Sequence, residues 1–106
     1  METKSVEQQL ADEELLLVSL RRKKREASIN LRAAKSKLLL RFRVDADAQG
    51  KSISFAQAQE MVQSELVGGR LSTEWQDWIS AMSTEEVQKM KVEHLTRTYL
   101  DNKDTR

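Results

Sequence analysis

The sequence predicts an all-α protein: a long N-terminal basic amphipathic helix followed by three shorter helices. Three observations carry this. The 106 residues include no Pro and only three Gly, so few positions force a break. Leu and Ala recur at helical spacing through the first forty residues. In the second half, a Ser or Thr stands three residues ahead of a Gln or Glu at Ser54, Thr73 and Ser83, each a helix-start signature.

The first helix covers residues 5–43. Leu16, Leu20, Ala27, Leu31, Ala34 and Leu38 fall on one narrow stripe, with most Lys and Arg off it. A heptad ladder overlies the stripe. Leu10, Leu17, Lys24, Leu31 and Leu38 recur every seven residues, with Leu20, Ala27 and Ala34 at the companion position. Glu13, Lys24 and Arg41 interrupt this seam. A continuous helix of that extent would run roughly 55–60 Å at 1.5 Å per residue. A compact domain of this size is only about 35 Å across. The helix must therefore project toward a partner or break, and the weak helix formers Ser28–Asn30 mark the breaking point.

Asp45–Gly50 reads as a polar connector with turn chemistry. Ser54 with Gln57 opens a helix over Phe55–Val67, and Gly68–Gly69 stops it. Thr73 with Gln76 starts a short helix through Met82. Ser83 with Glu86 starts another over Thr84–Leu100. Residues 54–100 then form a three-helix part and 101–106 a frayed tail, all within a single domain spanning 1–106. Core candidates there include Phe55, Ala58, Met61, Val62, Leu66, Leu71, Trp75, Trp78, Met82, Val87 and Met90. Three short helices make a marginal core alone, so packing onto Leu31–Phe42 is expected.

Charge is distributed unevenly along this framework. From Arg21 to Arg43 there are ten Lys or Arg and one acid, Glu26, giving net +9. The flanks, 1–20 and 44–106, each carry −4, so the whole chain sums to +1. Only Arg22–Glu26 offers an i,i+4 pair, in the weaker orientation. A dense cationic helix calls for a polyanion or an acidic protein surface. The segment's one aromatic is Phe42, so base stacking is weakly supported and contact with duplex backbone fits better.

Catalysis finds little support. With no Cys, no disulfide, thiolate metal site or Cys nucleophile exists. His94 is the lone histidine, and scattered acids near it make no constellation. Gly68-Gly69-Arg70 is no phosphate loop. Asp45, Asp47, Gln49 and Gly50, with Ile53, resemble a degenerate EF-hand loop, but Gln57 stands where a bidentate Glu would close it. Asn30, Ala33, Ala34 and Ser36 resemble a basic-zipper contact region, but Ser36 falls one residue early and no zipper follows. The expectation is a non-enzyme with no catalytic residue, metal or cofactor. The longest apolar run, Leu15–Val18, is far too short for a membrane span, so no membrane partner is expected. Without a signal peptide the expected location is cytoplasmic, or nucleoid or nuclear if nucleic acid is the target.

Two function classes remain. The first is a small nucleic-acid-binding regulator, with Arg21, Arg22, Lys23, Arg25, Arg32 and Lys35 on phosphates. The second is a protein-interaction module, such as an adaptor, inhibitor or assembly subunit, using the long helix or the Trp-bearing helices. For either, Leu10, Leu17, Leu31, Leu38 and Trp78 are the expected partner contacts. The ladder is symmetric about Lys24. Two antiparallel copies crossing there would oppose Leu10 with Leu38 and Leu17 with Leu31, and bring Glu13 near Lys35. An antiparallel homodimer is thus one candidate assembly; the alternative is a monomer in which the helix bends and buries its own stripe.

Overall fold

A computed structural model describes residues 4–104. Its elements are three α-helices: α1, Val6–Ala48; α2, Phe55–Ser64; and α3, Ser72–Asp104. The described residues contain no strand. The all-α class and the long N-terminal helix hold, but two helices follow it rather than three.

α1 starts on a capping box absent from the sequence reading. The Ser5 hydroxyl accepts from the Gln8 amide, and the Gln8 side chain accepts from the Ser5 amide, both at 3.2 Å. The helix then runs 43 residues, through Ser28–Asn30 without interruption. It also continues past 43, so Asp45–Ala48 are helical rather than a connector. The true stop is Gly50 at φ +75, a left-handed conformation that favours Gly. Gly50 N–H donates to Asp47 C=O and Lys51 N–H to Ala46 C=O, which is the Schellman closure. With Asp45 and Asp47 on the last turn of a helix, no EF-hand loop exists.

α2 opens on the expected capping box of Ser54 and Gln57, with bonds of 3.1 and 2.9 Å. It ends at Ser64, three residues before the expected Val67. Gly68 at φ +72 turns the chain, while Leu71 N–H reaches back to Glu65 C=O at 3.0 Å and Arg70 N–H to the Glu65 carboxylate at 2.7 Å. Gly69 is required for a different reason. A Cβ there would lie 2.6 Å from the Glu65 Cα and 2.7 Å from its carbonyl oxygen.

α3 merges the two expected helices. Thr73 is inside it, one residue past its start at Ser72, and Ser83 lies mid-helix. No Gly or Pro occurs from Ser72 to Asp104 to compel a break. Ser83 is exposed, and the neighbouring Thr84 hydroxyl is satisfied by the Ser80 carbonyl one turn back at 2.7 Å. The helix also takes in 101–104 of the expected frayed tail; 105–106 lie outside the described residues.

The chain divides into two compact units, Met1–Arg25 with Ser80–Arg106, and Glu26–Ile79. In the second, Leu31 and Leu38 of α1 meet Val62 of α2, Leu66, and Leu71, all buried. Ala34, Leu39, Phe42, Trp75 and Trp78 pack against this cluster, so the expected seat on Leu31–Phe42 is occupied. Arg70 covers the Phe42 ring, 5.4 Å from its centroid. Phe55 and Met61, expected in this core, are exposed.

In the first unit α1 and α3 run antiparallel, for Glu13 meets Gln88 and Lys91 while Arg21 and Lys24 meet Glu85. The inward face of α3 follows 3–4 spacing through Glu85, Gln88, Val92, Leu95 and Tyr99. Met82, Val87 and Met90 fall off that face and are exposed.

Candidate nucleic-acid interface

The ten cations of α1 fall into two groups. Arg21 and Lys24 are held inside the first unit by one carboxylate. Lys24 Nζ donates to Glu85 at 3.2 Å, and Arg21 Nε lies 3.6 Å from the other Glu85 oxygen. Glu85 is buried, at 6% exposure. The Lys24 hydrogen bond, followed by the Lys24 charge and Arg21, holds its carboxyl below the ordinary range even though burial pushes the other way. Glu13 is lowered in the same manner. It accepts from Gln88 at 2.6 Å and pairs with Lys91 at 2.9 Å.

The other eight cations have no such match. Arg22, Lys23, Arg25, Arg32, Lys35, Lys37, Arg41 and Arg43 have no carboxylate within 4.0 Å among the described residues. Seven of the eight are exposed and Lys35 is half-buried. The Arg22–Glu26 pair does not form. Of the six expected phosphate contacts, Arg22, Lys23, Arg25, Arg32 and Lys35 are therefore free of internal counter-ions, and Arg21 is not.

Geometry alters what Arg32 and Lys35 can do. Within the second unit they form one wall of an open groove of about 720 Å³. Leu39 of α1 lines it too, and α2 contributes Gln59, Glu60, Val62 and Gln63. Phe55, 55% exposed, stands in the same groove. In the sequence the one aromatic within the cationic segment is Phe42. Phe55 is distant in the chain, and only the packing of α2 on α1 brings it there.

The expected partner contacts lie mostly inside the chain. Leu17, Leu31 and Leu38 are buried within the single chain, at 6–7% exposure, and Leu10 is half-buried. Trp78 packs on the Leu31–Leu38 cluster. Lys24 and Glu13, two positions on which the antiparallel crossing rests, have partners on α3. Leu31 and Leu38 are covered by Val62, Leu66 and Leu71 of the same chain. Among the described residues no group of acids or His could hold a metal ion, and no helix is long and apolar enough to cross a membrane. Compared with protein families, curated proteins and solved structures, the chain shows no match.

Proposed function

We propose that this chain is a small nucleic-acid-binding protein that contacts the phosphate backbone through α1, in a regulatory role. One observation carries the reading: eight of ten cations on one helix have no carboxylate within 4.0 Å among the described residues. Like charges held on a rigid helix repel, and phosphates relieve that repulsion while releasing condensed counterions. Arg22, Lys23, Arg25, Arg32 and Lys35 supply the contacts. Backbone contacts of this kind give affinity with little sequence readout.

The test is fluorescence anisotropy with a labelled duplex at several salt concentrations. Five phosphate contacts correspond to a log–log slope of about −4.5. Affinity should then fall by about two to three decades between about 50 and 200 mM salt. No binding at low salt would end the proposal.

A second reading has its own observation. Ile29, Leu40 and Val44 of α1 are 56–63% exposed, and their spacing puts them on one helix face. Cations surround them in sequence, so an acidic amphipathic helix is the partner they fit. Under this reading the chain is an interaction module, an adaptor, inhibitor or assembly subunit. A complex lost on Leu40→Asp, yet intact after neutralising Arg22, Lys23 and Arg25, would favour it.

A further inference from the structure

The α1–α2 groove brings together three things that separately mean little. Arg32 and Lys35 offer two cations one turn apart, without internal counter-ions. Phe55 offers a ring face, held at the first position of α2 by the Ser54 cap. Gln59 and Gln63, at one-turn spacing along α2, offer amides that both donate and accept. We propose that this groove seats an unpaired nucleotide, with phosphate on Arg32 and Lys35, base stacked on Phe55, and the Gln59 and Gln63 amides at the base edge. The inference rests on the nucleic-acid reading above and narrows it.

The chemistry argues for an unpaired base. In a duplex each base face is covered by its neighbours, so an aromatic ring beside the backbone has nothing to stack on. A single strand, an overhang or an extruded base exposes its π-face, and stacking then adds to the phosphate contacts. The groove volume, about 720 Å³, lies within the usual range for sites that enclose small organic groups. Glu60 on the α2 wall opposes phosphate, which places the anion on the α1 side. Phe55 is mostly solvent-exposed, so its ring contributes little to the core and is available to a ligand.

The experiment uses the full chain, a labelled oligo-dT and a labelled duplex. Oligo-dT should bind more tightly than the duplex. Phe55→Ala should weaken oligo-dT binding tenfold or more, leaving its salt slope and the duplex affinity unchanged. Phe55→Trp should keep the oligo-dT affinity, since a larger ring stacks as well. Arg32→Gln with Lys35→Gln should lower the single-strand slope by about 1.4. If the duplex binds but Phe55→Ala leaves oligo-dT affinity unchanged, or weakens both polymers alike, the groove assignment falls while the broader reading stands. Failure of both polymers to bind at low salt removes the two together. A Leu/Glu amphipathic peptide whose binding depends on Phe55, when oligo-dT binding does not, would give the groove to a protein helix.

Discussion

The division of the cationic helix into held and free charges can be tested by exchanging one group against the other. Consider Arg22→Gln, Lys23→Gln and Arg25→Gln together, and separately Arg21→Gln with Lys24→Gln. Both sets lie within the same five residues, and a simple charge count would have them flatten the salt slope by about 2.7 and about 1.8. The structure separates them. Arg22, Lys23 and Arg25 are exposed with no carboxylate within 4.0 Å among the described residues, whereas Arg21 and Lys24 share the buried Glu85. Each phosphate contact contributes about 0.9 to the log–log salt slope on a duplex. The triple variant should therefore flatten the slope by about 2.7, from about −4.5 to about −1.8. The double variant should shift it by less than about 1, because those cations must leave Glu85 to reach phosphate. Its cost should appear instead as a lower urea midpoint, from leaving Glu85 without partners. Anisotropy titrations across salt, beside urea unfolding followed by circular dichroism, give both readouts. If the double variant flattens the slope as much as the triple, the held-versus-free distinction is wrong.

Other consequences follow from packing and titration. Leu38 is 7% exposed and Leu40 is 63% exposed, on the same helix. Leu38→Ala should cost about 2–5 kcal/mol and Leu40→Ala no more than about 0.5 kcal/mol by urea unfolding. The wild-type midpoint should not vary with protein concentration; variation would mean that the ladder is buried between chains. Glu85 and Glu13 have lowered folded-state pKa values, so their contribution is complete at neutral pH. It is lost as pH falls below about 4.3, the ordinary Glu value, through the depressed folded values. Thermal midpoints measured down this range should drop less steeply for Glu85→Gln than for wild type. Gly69→Ala should lower stability more than an exposed-surface substitution does, because its Cβ would meet the Glu65 backbone; a neutral result by the same unfolding assay would show that the α2–α3 turn can shift.

How much of this was legible in the sequence depended on whether the signal was local. The Ser54–Gln57 box and the apolar stripe Leu31–Leu38 are local, and both read correctly. The same device placed the start of α3 to within one residue at Thr73 and misled at Ser83. A capping signature licenses a helix start only where something ends the preceding turn, and no Gly or Pro does so there. The reverse error occurred at Gly50, whose role as a C-terminal stop was hidden by Asp45 and Asp47 resembling turn chemistry. Glu13 and Lys24 looked like flaws in a dimer seam because Glu85 and Gln88, their partners, lie more than sixty residues away. Apolarity alone puts Phe55 in the core, whereas its position beside Arg32 and Lys35 depends on how two helices pack. Charge density was legible, but which charges are cancelled internally was not.

Glu13 and Lys24 on one helix, and Glu85 and Gln88 on the other, act as a key cut into an otherwise greasy seam. Sliding α3 by one heptad would set Lys24 against Val92 or Trp78 and strand the Glu13 carboxylate, so only one alignment is tolerated. Such a key constrains descent as well as folding. A change at one of the four positions disfavours the others as they stand, so in any distant cousin the quartet should vary as a set. Candidates could be recognised by that joint substitution where ordinary resemblance has faded.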